Sequence, residues 1–215
     1  MPDPGPVPGE VLERGDALAG RLLAWLEPLR FAPAGGGPER EAAYRLRHQA
    51  VAEVGMADPA GFPDGMERDA YDEDAVQVLA WDGPKPVATC RLVFPAAGRP
   101  MPAEEVFGPI PEAEGAVEWG RVTVDSALRG EGGRIFMGLA ARGWFAMRAR
   151  GRSTAMGVTP RRLVTLFRAL GFPVTVLGEP KVHWGVERVP ILCRGPEAVD
   201  VLGHIWNFKG RPPEL

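Results

Sequence analysis

The chain has 215 residues and a formal charge of −3, with 45% hydrophobic and 25% charged residues. That is enough for one well-cored domain, and the apolar content excludes a wholly disordered chain despite 28 glycines and 23 prolines. Two cysteines exclude a disulfide scaffold or a cysteine-rich zinc site, and no apolar run approaches the roughly 18–20 residues of a membrane span.

Residues 1–9 (MPDPGPVPG) read as a disordered lead-in, with no basic segment leading into an apolar one, so a cytoplasmic protein is expected. Apolar residues at Val11, Leu12, Leu18, Leu22, Leu23 and Leu26 predict an amphipathic helix over 11–29. Residues 34–38 (AGGGP) break the chain, and 39–54 predicts a second helix. A loop over 55–65 leads to two strands, 75–81 and 86–94, joined by Asp82-Gly83 as a hairpin. A proline-broken loop spans 95–113. A third strand covers 116–124, and strict alternation would put Glu118 and Arg121 on different faces.

The glycine-rich turn 129–133 precedes a helix over 134–150 and a strand over 153–158. Pro160 opens a further helix that stops at Gly171. Strands at 174–177 and 186–193, a terminal helix at 196–206 and a frayed tail after Lys209 complete the reading. The expected organisation is a lead-in and helix over 1–30, a main domain over 31–195, and a helix and tail over 196–215. The class is mixed α/β, with no internal repeat and no sustained βαβ alternation in the first half.

Charge is unevenly placed. Residues 1–128 hold 22 acidic and 11 basic side chains, and 129–215 hold 6 and 14. Between Arg129 and Arg168 nine arginines face one acid, Glu131. Such a block fits a phosphate-bearing or acidic partner, or a solvated helix face. The acidic first half argues against a simple nucleic-acid binder.

Three constellations carry chemistry. Arg129, Gly130, Gly132 and Gly133 join a strand to a helix, where backbone amides suit a phosphate; a loop tip of small residues is the plainer alternative. Glu67, Asp69 and Asp72 crowd three carboxylates before a strand. They suit an ammonium or sulfonium ligand, or help raise the pKa of a base, or form a solvated acidic loop. Glu118 and Arg121 lie inside an apolar strand, where burial demands pairing or a site. Arg47 and Arg91 are natural partners for these acids. His48, His183 and His204 lack metal-ligand spacing and read as structural or surface residues; no metal is expected. Cys90 reads as packed.

Together, Tyr44–Val51, Met66–Asp72, Cys90-Arg91-Leu92 and Glu118–Val122 resemble the acyl-homoserine-lactone synthases and the related N-acyl amino acid synthases of the GNAT superfamily. The resemblance runs from about Phe31 to Cys193. It implies a mixed central sheet with a V-shaped splay between central strands, flanked by helices. It implies transfer of a fatty acyl group from acyl carrier protein or acyl-CoA to an amine, with no permanently bound cofactor. Glu118 would be the base and Arg121 its neighbour, and the amide at Val122 or Thr123 would face the thioester. Arg47, Glu67, Asp69, Asp72 and Arg91 would serve the amine substrate. Arg129, Gly130, Gly132 and Gly133 would hold the pantetheine phosphate. The basic stretch 129–168 would then meet an acidic carrier protein. Val51 and Met56 stand where the lactone synthases carry Phe and Trp, which points to an amino acid acceptor over S-adenosylmethionine. Arg134 departs from the acetyltransferase signature. The other readings are a lactone synthase, an acetyl-CoA-dependent acetyltransferase and a catalytically silent carrier-protein binder.

Overall fold

The structure, a computed structural model, describes residues 7–55 and 58–205. Helix α1 (Gly9–Trp25) buries Gly15, Leu18, Ala19 and Leu22, the stripe its periodicity predicts. Strand β1 (Arg30–Pro33) leads into α2 (Gly37–Val54), which Gly55 closes in the left-handed conformation at φ 64°. Strands β2 (Val76–Asp82) and β3 (Lys85–Val93) form the expected hairpin. A short helix α3 (Pro102–Phe107) precedes β4 (Val117–Val124). Then come α4 (Gly132–Arg148), β5 (Thr154–Pro160) and α5 (Arg161–Ala169). Strands β6 (Thr175–Val176), β7 (Lys181–His183) and β8 (Val186–Arg194) lead to α6 (Gly195–Ile205).

The strands join in one sheet of order β1-β2-β3-β4-β5-β8-β6, with β7 also pairing β8. Neighbours are antiparallel except β4 and β5, which run parallel. That parallel pairing holds at only two positions, Val117 with Ala155 and Glu118 with Met156. Beyond them β5 stays on β8 as far as Pro160, and β4 stays on β3 as far as Val124. The sheet forks there, giving the V-shaped splay of a GNAT-like fold.

Strand alternation separates two layers. Val78, Cys90, Leu92 and Val117 pack with Ile135 and Leu139 of α4. Gln77 and Arg91 point the other way, toward α2. Helices α1, α4 and α6 share one apolar cluster on the first face, and α3 joins Val93 and Met156 on the second.

Several expectations are corrected. Strands β1 and β7 were not expected; at four and three residues they carry too little alternation to read. The loop 95–113 contains α3. Helix α1 starts at Gly9, inside the expected lead-in, and ends at Trp25, short of Leu29. Pro160 is the last residue of β5 and precedes α5. Residues 1–6 of the lead-in, Met56, Trp206 and the tail lie outside the described residues. No helix among the described residues is long and apolar enough to cross a membrane.

Helix α4 approaches β1 closely because position 138 is glycine. A Cβ there would overlap the Phe31 ring, which is itself buried. Gly138→Ala should therefore destabilise the protein by about 1–3 kcal/mol through overpacking. Thermal unfolding checks this; an unchanged Tm would contradict the close approach.

Candidate active site

Strand β4 supplies the fork with its polar groups, and a bulge decides where they point. Thr89 pairs with Thr123 and Arg91 with Gly120, so Arg121 and Val122 together stand opposite Cys90. Arg121 absorbs the extra residue in the left-handed region, at φ 52°. A non-glycine residue there costs roughly 1–3 kcal/mol and persists only where its surroundings hold it. The bulge corrects the alternation reading: Arg121 turns to the same side of the sheet as Glu118.

What holds Arg121 is a six-charge network. Its Nε donates to Glu67 Oε1 and its Nη2 to Asp69 Oδ2, each at 3.1 Å. Arg47 from α2 donates to Glu67 and, through two nitrogens at 2.7 and 2.9 Å, to both oxygens of Asp72. Arg91 from β3 donates to Asp69 at 2.6 Å and to Asp72 at 3.0 Å. Gln77 and the Asp69 N–H complete Asp72. Three arginines thus balance three carboxylates. Arg47 is 1% exposed, yet its pKa is pushed further up: desolvation opposes the charge, and hydrogen bonds to Asp72 and Glu67 outweigh it.

Among the crowded carboxylates Asp72 shifts down. Desolvation acts to raise the Asp72 pKa, but Arg47 and Arg91 overcome it and hold the acid down at about 2. Of the three roles considered for Glu67, Asp69 and Asp72, a raised-pKa base is excluded for Asp72. Removing its charge in Asp72→Asn should cost about 3–5 kcal/mol in urea unfolding, because Arg47 and Arg91 each lose a buried anionic partner.

Glu118 is different. It lies at the last paired position of the fork, 7% exposed, and Oε2 accepts the Ala103 N–H at 2.8 Å. Desolvation pushes its pKa up to about 7, against the opposing pull of that hydrogen bond and of Arg91 and Arg121. Across the fork, Gly157 lies against the Trp119 carbonyl, and a Cβ there would come within 2.7 Å of its oxygen.

A cavity of about 570 Å³ runs through the fork. On the α2 side it is lined by Arg47, Glu67, Asp69, Glu118, Arg121 and Thr123; on the α4 side it is apolar, with Phe136, Phe167 and Phe172 among its walls. Val122, 41% exposed, also lines it. Asp72 and Arg91 stand behind this lining, joined to it by hydrogen bonds. Arg129, Gly130, Gly132 and Gly133 sit at the start of α4 and do not line the cavity; Arg129 pairs with Glu53. Residues 126–131 form a 3₁₀ turn that takes in the first part of the glycine-rich turn.

His183, which reads as structural or surface in the sequence, lines the cavity from the end of β7, beside two residues the sequence did not single out, Trp184 of the β7–β8 turn and Arg188 of β8. Trp184 lies over the Arg121 guanidinium, 4.6 Å from ring centroid to carbon, and Arg188 Nε donates to the His183 carbonyl at 3.0 Å. Desolvation, then Arg188 and Arg121, lower the His183 pKa. A glycine after an aromatic residue, Trp184-Gly185, was the available turn signal. His48 packs edge-on against Phe62, and His204 is exposed near α6's end. Cys193 also lines the cavity, but burial pushes its thiol up to about 12. Among the described residues no group of three or more His, Cys, Asp or Glu is placed to hold a metal.

A sheet that forks between its central parallel strands is the fold of the GNAT-like acyltransferases, and a family match over most of the chain makes it an acyltransferase. More narrowly, residues 42–194 match the family described as N-acyl amino acid synthase FeeM, and the chain belongs to that family. Among solved structures, BjaI is a CoA-dependent acyl-homoserine lactone synthase determined with SAM and isopentyl-CoA. It is 27% identical over 81% of this chain and 87% of its own, with a TM-score of 0.61. TofI, in a ternary complex with an inhibitor and MTA, is 27% identical over 80% and 96%, with a TM-score of 0.60. FeeM, from uncultured soil microbes, shares the fold at 17% identity over 80% and 94%, with a TM-score of 0.63. No curated protein sequence matches the chain.

The two acids give opposite pH signatures. Asp72 contributes stability that is present above its ordinary value of 3.8 and is lost as pH falls toward 2. Glu118 is raised, so its contribution is full below 4.5 and is lost as pH rises through about 7. Relative to wild type, Glu118→Gln should therefore gain about 3 kcal/mol of stability between about pH 4 and pH 8. Urea unfolding at both pH values measures it; a pH-independent difference would contradict a buried, raised carboxyl.

Proposed function

We propose that the chain moves a fatty acyl group from an acyl thioester to the amine of an amino acid-like acceptor, with Glu118 as general base. One observation carries this reading: a carboxyl that burial raises to about 7 stands at the fork, on the cavity wall, where a base near neutrality is useful. The family and the isopentyl-CoA complex of BjaI support the reaction class.

The acceptor enters on the α2 side as an ammonium, and Glu118 takes a proton directly or through water. The free amine attacks the thioester carbonyl, forming the C–N bond. The amide of Val122 or Thr123, beyond the last β4–β5 pair, polarises that carbonyl and stabilises the oxyanion. The C–S bond then breaks, and the departing thiolate takes the second nitrogen proton. A thiol held at about 12 makes Cys193 a poor nucleophile, which favours direct attack over an acyl-enzyme. The ion network of Arg47, Arg91 and Arg121 with Glu67, Asp69 and Asp72 positions β4 and the acceptor wall.

For the donor, the arginines of 129–168 fit an acidic acyl carrier protein, with Arg129 and the amides of Gly130 and Gly133 meeting the pantetheine phosphate outside the cavity lining; the Gly132 N–H is already given to the Arg129 carbonyl. Such a donor points to the cytoplasm. A second reading, lactone synthesis from S-adenosylmethionine, is favoured by the 27% identity to BjaI.

Mass spectrometry of reactions holding acyl thioester with either amino acids or S-adenosylmethionine separates the two readings. An acyl amino acid is expected; an acyl lactone would select the second reading, and no new amide would overturn both. Glu118→Gln should lower kcat/KM by roughly 10²–10⁴. In the wild type kcat/KM should rise with pH through about 7. Near-normal turnover of the variant would remove Glu118 from the role.

A further inference from the structure

Past the fork the cavity continues into the helical layer between α1, α4 and α6. Leu18 and Leu22 of α1, Met137 and Trp144 of α4, and Val199 and Leu202 of α6 line it there, and none of these three helices contributes a charged side chain to the lining. An arm without hydrogen-bonding partners recognises an alkyl chain by the length it can bury.

Trp144 stands where this arm meets the surface. It is only half-buried, and its indole Nε1 donates to Asp16 Oδ1 of α1 at 2.7 Å. Arg148 also reaches that carboxylate, at 3.4 Å, and lies over the ring at 6.0 Å. Position 15 is glycine for a related reason. A Cβ there would come within 2.5 Å of the indole and 2.9 Å of Val199. The ring is thus wedged among three helices, tied at its polar edge and tightly fitted at its flank.

We infer that Trp144, held by Asp16, is the end-stop of the acyl arm and sets the longest chain the enzyme accepts. The inference rests on the acyl-transfer reading above and adds a length-determining residue to it. Helices α1 and α6, which make the floor, lie outside the matched residues 42–194. Trp144 itself lies within the matched region, as do the fork and its acid, while the helices that wedge the ring flank that region.

The test is competition. The full-length enzyme is given an equimolar mixture of butanoyl, octanoyl, dodecanoyl and hexadecanoyl thioesters with one acceptor, and the amide products are quantified by mass spectrometry. Trp144→Ala should move the preferred chain longer by two or more methylenes. Each additional buried methylene should raise relative kcat/KM about fourfold, the equivalent of ~0.8 kcal/mol. Asp16→Ala keeps the ring but removes its anchor, and should shift the profile in the same direction by less. Leu22→Trp fills the arm from the facing helix and should shift it shorter. These three variants act at separate positions, so a folding failure of one leaves the other two decisive. Unchanged product ratios, or shifts of the same sign in Asp16→Ala and Leu22→Trp, would overturn the end-stop. A wild-type enzyme that acylates no amine with any chain would instead overturn the acyl-transfer reading on which it rests.

Discussion

Two residue pairs hold β4 to β5, and the site exists because the pairing stops there. After Glu118 and Met156 each strand remains bound to its outer neighbour, so the sheet stays intact while its centre opens. A cavity through the middle of a sheet would ordinarily expose unpaired backbone to no purpose. Here those groups are presented along a slot with one buried acid at its apex, polar walls on one side and aromatic walls on the other.

The charge network makes the slot's polar wall rigid. Arg121 adopts a strained backbone conformation, and four partners fix it: Glu67, Asp69, the Trp184 ring and the bulge itself. Because Arg47, Arg91 and Arg121 neutralise Glu67, Asp69 and Asp72, that cluster brings little net charge to the apex. Desolvation is then the leading influence on Glu118, and its carboxyl rises where Asp72 falls. The two carboxyl groups shift in opposite directions because Asp72 has two arginines in hydrogen-bond contact and Glu118 a single backbone N–H.

Much of this was legible in the sequence. The hairpin, the acid in an apolar strand and the grouping of Arg47, Asp69, Asp72 and Arg91 followed from pattern and from family resemblance. The face of Arg121 was not legible, since a bulge breaks the period of two on which alternation depends. Nor was the role of His183, Trp184 and Arg188, which reach the cavity from the short β7, the turn after it and β8, far along the chain. Trp144 reads as one more apolar position on an amphipathic helix; only the packing of α1 and α6 around it distinguishes it from ordinary core. Arg129 fitted a phosphate cradle by position, while the folded chain pairs it with Glu53 outside the cavity lining.

The claim that the parted strands receive a thioester can be tested directly by amide NMR. The isotope-labelled enzyme would be titrated with an acyl-pantetheine analogue in which a methylene replaces the sulfur, so that no transfer occurs. The expected result is saturable shifts concentrated at Val122, Thr123 and Gly157, on the two lips of the fork. Saturable binding whose shifts fall elsewhere, with those three amides unmoved, would contradict it.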